Sequence, residues 1–164
     1  MADEDGASQN ELLIYASRND NLDILDEVLS SGAFDINFTD GVGDSALHNA
    51  ARYGSIECLE ILLHYDGINV DIANRLEGDT PLHKAVAYED PDVALIMVEL
   101  LVNRGASLTV KNKHRQTPAD KAPSDTHGEI KTFLENIALR SQFDSRDIAA
   151  DDDDDSDGVP SDDE

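Results

Sequence analysis

Two stretches of the chain repeat nearly the same phrase. One reads GDSALHNA (Gly43–Ala50), and the other reads GDTPLHKA (Gly78–Ala85), at an interval of 35 residues. A fainter copy, QTPADKA (Gln116–Ala122), follows after another 37 residues, counted from Thr80 to Thr117. A unit of this length cannot bury its own apolar residues alone. Recurrence at this period therefore predicts a stack of equivalent layers that share one core.

Each unit of the repeat has the apolar pattern of two short helices. Small residues such as Ala50 and Ala51 leave room on the first helix for a close neighbour. The second helix carries apolar residues at helical spacing, as in the stretch Cys58–Leu63. Helix start and stop signals agree with this division. The predicted N-caps are Ser8, Asn21, Ser55 and Asp90, and the predicted left-handed residues after second helices are Gly32, Gly67 and Gly105.

The chain resembles the ankyrin-repeat family at these positions. The T-P-L-H-x-A motif and a period of about 33 residues are that family's signature. Here the motif stands at Ser45–His48, Thr80–His83 and Thr117–Asp120. The resemblance covers roughly Glu11 to Arg140. It implies an all-α solenoid of about four helix-turn-helix units with hairpin connectors, at about residues 8–40, 41–75, 76–112 and 113–140.

Departures from the family pattern carry their own predictions. The first unit lacks the motif, as expected of an N-terminal capping repeat. About three extra residues near Glu89–Pro91 should lengthen the turn inside the third unit. Pro123 should end the first helix of the fourth unit early, because proline lacks a backbone donor and clashes with the preceding turn. Arg115 stands where a hairpin glycine is usual, so we expect the last connector to be less regular.

The charge of the chain is strongly acidic and unevenly placed. There are 36 acidic residues against 12 Lys and Arg, a formal net charge of -24. Bulk binding to nucleic acid or to an anionic membrane is therefore disfavoured. From Asp144 to Glu164 the sequence has eleven acids and one base, Arg146. Since these residues offer little apolar surface, residues 141–164 are predicted to be disordered, as are the acidic residues 1–7.

The sequence also suggests a compartment. Its apolar runs are too short to span a membrane, and its first ten residues lack the apolar core of a signal peptide. Cys58 is the only cysteine and has no partner for an internal disulfide. We therefore expect a monomer in the cytoplasm or the nucleus.

The recurring polar residues have structural interpretations. The resemblance implies that His48 and His83 form hydrogen bonds with the Ser or Thr three residues earlier. His64, His114 and His127 are isolated in the sequence and are expected to face solvent. Cys58 occupies an apolar position and is expected to be a buried core residue, since no activating pattern lies near it.

No catalytic, cofactor or metal site is predicted. The stretch GVGDS (Gly41–Ser45) lacks the G-K-[ST] ending of a phosphate-binding loop. The acidic run does not have the ligand spacing of an EF-hand. Carboxylates in disordered segments are too mobile for general acid–base catalysis. We therefore expect a protein that is not an enzyme. Ser161 is followed by Asp-Asp-Glu and is a candidate site for an acid-directed kinase.

In ankyrin-like domains the concave face consists of hairpin tips and outward residues of the first helices. Eight of the twelve bases fall in these segments when Lys121 is counted, so a locally basic face is predicted. The candidate partner-binding residues are Arg18, Phe38, Arg52, Tyr53, Arg75, Leu76, Lys84, Tyr88, Lys111, Lys113, His114 and Arg115.

These observations predict a non-catalytic protein-binding module. One interpretation is an adaptor or chaperone-like binder of a basic protein, whose encounter the acidic tail accelerates. The alternative is a regulatory or inhibitory subunit that masks an enzyme or transcription factor, with the tail as a solubility device.

Overall fold

The computed structural model describes the backbone of residues 8–151 and the side chains of residues 8–143. The described backbone is all-α, with an isolated bridge between Thr39 and Ser45 and no strand. The chain divides into two compact units between Lys131 and Thr132. The helices of the described part are α1 (Gln9–Asn19), α2 (Leu22–Ser31), α3 (Ala46–Tyr53), α4 (Ile56–Leu63), α5 (Pro81–Val86), α6 (Pro91–Asn103), α7 (Pro118–Lys121) and α8 (Gly128–Asp151).

The helices form two rows. The first helices of successive units contact one another, α1 with α3, α3 with α5 and α5 with α7. The second helices do the same, α2 with α4 and α4 with α6. Between the rows lies the core, to which each layer contributes buried leucines. Leu13, Leu47 and Leu82 on the first helices and Leu25, Leu59 and Leu101 on the second helices are fully buried.

Each first helix begins after a hydroxyl residue that caps it, and of these residues Ser8 was predicted to be a cap. Ser8, Ser45, Thr80 and Thr117 each accept a hydrogen bond from the backbone three residues on, and each closes a reciprocal capping box. Asn21 and Asp90 cap second helices through their side chains. Ser55 occupies the N-cap position of α4, but its hydroxyl donates to the carbonyl of Arg18 at 3.4 Å instead.

The third and fourth units differ from the second as the sequence predicts. Four residues separate α5 from α6, whereas two separate α3 from α4. The first helix of the fourth unit, α7, has only four residues and ends just before Ala122 and Pro123. Proline therefore stops this helix at the position where it would lose a backbone hydrogen bond.

The last hairpin connector corrects a prediction. Arg115 adopts the left-handed conformation, with φ of 64°, which Gly43 and Gly78 adopt at 89° and 74° in the earlier connectors. Its loop closes as theirs do, because the amide of Arg115 donates to the carbonyl of Asn112 at 2.9 Å. The side chain of Asn112 also accepts from the amide of Gln116 at 3.0 Å. The expectation of a less regular connector was wrong, since Asn112 holds the loop closed despite the strain at Arg115.

The C-terminal boundary also differs from the expectation. The predicted disordered tail begins at Ser141, but α8 continues without a break to Asp151. Residues 141–151 contain no glycine or proline and include Ala149 and Ala150, so nothing in them ends the helix. Residues 152–164, Ser161 among them, and residues 1–7 lie outside the part of the chain that the structure describes.

Candidate interaction surface

The repeated phrase is used inside the fold. The ring nitrogen Nδ1 of His48 accepts from the amide of Ser45 at 3.0 Å, which leaves Nε2 to donate to the carbonyl of Asp79 at 2.7 Å. His83 makes the same bonds, to Thr80 at 3.0 Å and to the carbonyl of Gln116 at 2.8 Å. Burial lowers the pKa of both histidines. The bond within the turn was predicted, but the bond from each unit to the next was not.

The remaining histidines divide into two groups. His64 and His114 are exposed, as expected. The prediction for His127 was wrong, because this residue is buried and its ring bonds to the carbonyl of Tyr88 at 2.6 Å and to the hydroxyl of Thr126 at 2.6 Å. A turn in which its amide donates to the carbonyl of Pro123 brings His127 back against the third unit.

Cys58 and the GVGDS stretch have structural roles. The Cys58 thiol is fully buried and lies 3.4 Å from the carbonyl of Ala16. Burial raises the pKa of this thiol to about 12, so it stays protonated and unreactive. A Cβ at Gly43 would lie 2.3 Å from the backbone nitrogen of Arg75, so glycine allows the two connectors to touch. Among residues 8–143 no group of three or more His, Cys, Asp or Glu could hold a metal ion.

The first helices and the hairpin connectors together form what we call the front surface. Three clefts lie along it. A cleft of about 490 Å³ is lined by Arg18 and Phe38 together with Tyr15. A second, of about 410 Å³, is lined by the predicted residues Arg52, Leu76, Lys84 and Tyr88. A third, of about 410 Å³, is lined by Arg52, Tyr53 and Tyr88. The other predicted residues are exposed on the connectors, namely Arg75, Lys111, Lys113, His114 and Arg115.

Tyr53 is the centre of an aromatic and arginine cluster on the front surface. Its ring centroid lies 5.7 Å from the guanidinium carbon of Arg18 and 5.8 Å from that of Arg52. Both distances permit cation–π attraction. The Tyr53 side chain nevertheless remains 46 % exposed. The cluster is thus ordered by its own contacts while a large part of the ring stays available.

Buried carboxylates neutralise part of the basic face. Asp79 is fully buried and lies 2.7 Å from the ammonium of Lys121 and 3.5 Å from that of Lys84. Burial alone would raise the pKa of Asp79, but hydrogen bonds from Lys121 and from Asn112, at 2.8 Å, lower it to about 2. The burial of Asp79 was not predicted, although aspartate recurs directly before Ser45 and Thr80 in the sequence.

Asp44 occupies the equivalent place one layer earlier. It is 2 % exposed, accepts from the side chain of Asn74 at 2.8 Å and lies 3.7 Å from Arg52. Asn74 and Asn112 therefore have the same function, since each joins its connector to the aspartate of the preceding connector.

The second helices α2, α4 and α6 are acidic, in contrast to the basic residues of the front surface. The helices α2, α4 and α6 contain no Lys or Arg, and their acidic residues are Asp23, Asp26, Glu27, Glu57, Glu60, Asp92 and Glu99. Charge is thus segregated between the two rows of helices. Within the described residues, no helix is both long and apolar enough to cross a membrane.

Comparison with known proteins agrees with this architecture. The family model for ankyrin repeats (3 copies) matches residues 13–112. An ankyrin repeat-containing protein of Saccharomyces cerevisiae, YGL242C, is 36% identical over 82% of this chain and 81% of its own length. The E3 ubiquitin-protein ligase hecd-1 of Caenorhabditis elegans is 35% identical over 76% of this chain, which spans 4% of that protein.

A human ankyrin repeat domain-containing protein 53 is 32% identical over 53% of the chain and 16% of its own length. The matched region contains the repeated phrase, the helix pairs and the connectors described above. The chain belongs to the ankyrin-repeat family.

Proposed function

We propose that this chain is a non-catalytic adaptor or chaperone-like protein that holds a protein partner against its front surface. The cluster of Tyr53, Arg18 and Arg52 carries the proposal. Tyrosine and arginine are the residues that most often dominate binding energy at protein interfaces, and here they are exposed but already ordered. Ankyrin repeats act in general as protein-interaction modules, and in this chain the recurring histidines are engaged in structural bonds.

A matched pair of substitutions tests the use of the front surface. Tyr53→Ala removes an exposed apolar side chain from the first helices, and Ile96→Ala removes one of similar exposure, 43 %, from the second helices. We expect partners captured by the unmodified chain from source cells to be lost with Tyr53→Ala and retained with Ile96→Ala. Loss with Ile96→Ala alone would place the partner on the other row of helices and contradict the proposal.

We further propose that one partner is a basic protein. The net charge of -24 and the acidic row of second helices support this, because they create a long-range field that raises the association rate of a cationic partner. A chain with Asp152–Asp155 changed to Asn keeps its length and loses four charges. We expect slower, less salt-sensitive association with the captured partner. An unchanged rate would favour the alternative of a masking subunit that reads only the front surface.

The compartment belongs to the same proposal. A single buried thiol at Cys58 suits a reducing environment, so we place the protein in the cytoplasm or nucleus, as a monomer. Sedimentation of the full chain and its distribution between cell fractions test both statements.

A further inference from the structure

The tips of the three hairpin connectors are joined into a continuous row. The amides of Arg75 and Leu76 donate to the carbonyl of Val42 at 3.1 and 3.2 Å. One connector further, the amide of Lys113 donates to the carbonyl of Glu77 at 2.9 Å. Since backbone hydrogen bonds fix the spacing of the tips, their side chains are presented in a set order. We call the exposed residues Val42, Arg75, Leu76, Lys113 and Arg115 the hairpin-tip row.

Two cations of the hairpin-tip row, Arg75 and Lys113, are held in place without being neutralised. The guanidinium of Arg75 donates to the carbonyl of Gly41, and the ammonium of Lys113 donates to the carbonyl of Arg75 at 2.5 Å. These bonds leave further N–H donors on both groups. In the described part of the chain, no ion pair joins a carboxylate to Arg75, Lys113 or Arg115.

Two acids close in sequence to Leu76 of the hairpin-tip row are paired with other cations. Glu77 lies 2.9 Å from the ammonium of Lys84. Asp79 is buried between Lys84 and Lys121. Internal carboxylates therefore pair with Lys84 and Lys121, which line the second cleft. The cations of the hairpin-tip row remain available to a carboxylate of another molecule.

An apolar residue lies among these cations. Leu76 is 65 % exposed, the largest exposure recorded for a large apolar side chain among residues 8–143, and Val42 beside it is 40 % exposed. The bond from the amide of Leu76 to the carbonyl of Val42 makes the two residues neighbours. Exposed apolar surface with a charged rim is typical of an interaction site.

We propose that the hairpin-tip row binds an extended acidic segment of a protein partner that carries one large apolar residue. The apolar residue packs on Leu76 and Val42, and carboxylates on either side pair with Arg75, Lys113 and Arg115. The inference rests on the proposed protein-binding function and assigns one part of the front surface, the hairpin-tip row, to a partner whose chemistry differs from that of the basic protein drawn by the acidic row. With both surfaces in use, the chain would join two partners of opposite charge.

Fluorescence anisotropy with labelled peptides tests the inference on the full chain. The probe is a twelve-residue Asp/Glu-rich peptide with one central leucine, compared with the same peptide carrying serine in its place. We expect the leucine peptide to bind about tenfold more tightly, because one buried leucine is worth about a factor of ten or more in affinity. Equal binding of the two peptides would overturn the proposal.

Two substitutions that cannot disrupt the core locate the site. Leu76→Ser should weaken binding of the leucine peptide about tenfold. Arg115→Gly removes one cation and also the strain of a left-handed non-glycine residue. It should weaken binding of the leucine peptide about threefold, as expected for the loss of one exposed ion pair. The matched controls Ile96→Ser and Arg104→Ala lie on α6 and at its C-cap. Equal losses in the controls would overturn the assignment.

Two further binding experiments distinguish a protein partner from other molecules that could bind the hairpin-tip row. If the leucine peptide binds only after Asp152–Asp155 are changed to Asn, the row serves this chain's own acidic residues, and the assignment to a partner is overturned. Equal affinity for a single-stranded oligonucleotide of matched charge would also overturn it. Failure of these peptide tests leaves partner capture through Tyr53 as a separate result, so the two proposals fail independently.

Discussion

The third and fourth units build the same helix cap from different residues. In the third, Thr80 and His83 close a capping box, and in the fourth Thr117 and Asp120 close one with matching geometry. The imidazole has a second nitrogen, which donates to the carbonyl of Gln116 in the next unit. The Asp120 carboxylate has no hydrogen to donate. The comparison teaches that a histidine can cap its own helix and also bond to the next unit, whereas the cap alone requires only an acceptor.

The first helices of the third and fourth units also differ in length and in how much apolar surface they bury. Leu82 of α5 is fully buried, and its counterpart in α7 is Ala119, which is partly exposed. The helices contain six and four residues. The fourth unit therefore buries less apolar surface on its first helix, as suits a unit that ends the described row of first helices.

Replacing Leu82 of the third unit by alanine, the residue at this position in the fourth unit, should have the largest effect on stability. Leu82→Ala removes a fully buried side chain between layers and should lower the free energy of unfolding by about 2–5 kcal/mol. Leu76→Ala makes the same chemical change at a site that is 65 % exposed, and should change it by no more than about 0.5 kcal/mol. Urea midpoints measure both. Similar losses in the two variants would mean that the layers do not share one core.

The hairpin glycine of the third unit gives the next largest effect. Gly78 has φ of 74°, and a Cβ there would lie 3.0 Å from the backbone nitrogen of Lys113. Gly78→Ala combines backbone strain with a close contact and should cost about 1–3 kcal/mol. Gly41→Ala is the control, because a Cβ there meets nothing within 4 Å. A Gly78→Ala chain as stable as Gly41→Ala would show that the connectors are not held together.

What the sequence could predict was local and recurrent. The register of the repeat, the burial of Leu82 and the caps at Thr80 and Thr117 follow from spacing and from the chemistry of three or four adjacent residues. The burial of Asp79 and His127 could not be predicted in that way. Each depends on a residue 33 to 42 positions away in sequence, Asn112 or Lys121 for Asp79 and Tyr88 for His127.

Seven of the residues that the family pattern assigned to partner binding line the three clefts. Their contact with a partner stays a prediction. Which of the cations are paired with a carboxylate was not predictable, because ion pairing in the cleft depends on the buried position of Asp79. The predicted start of the tail at Ser141 lies before the end of α8 at Asp151, since counting acids does not reveal where a helix stops.

Stability should depend on pH through the histidines that join the layers. Burial lowers the pKa of His48 and His83, so the unfolded chain binds more protons below the ordinary histidine pKa of about 6.5. Their contribution is complete above that pH and is lost as the pH falls. The carboxylate of Asp79 also stabilises the folded chain, because its pKa is lowered to about 2. This stabilisation is lost only as the pH falls below about 4.

Substitution separates the histidine contribution. His83→Gln should flatten the decrease of the urea midpoint between pH 7.5 and pH 5.5, because one of the two imidazoles with a lowered pKa no longer gains a proton on unfolding. His64→Gln, at an exposed position, should leave the pH dependence unchanged. A decrease as steep in His83→Gln as in the unmodified chain would show that this histidine does not couple folding to protonation.

The smallest expected effect has the opposite sign. Arg115 holds a left-handed conformation that glycine adopts at Gly43 and Gly78, so Arg115→Gly removes strain of about 1–2 kcal/mol. Glycine also makes the unfolded chain more flexible, which offsets about 0.5–1 kcal/mol. The net result should be a gain of up to about 1 kcal/mol in the urea midpoint analysis. Arg104→Gly, at a residue with negative φ of -93°, should instead destabilise. A loss of stability in Arg115→Gly would mean that the arginine side chain contributes more to the last connector than its backbone strain costs.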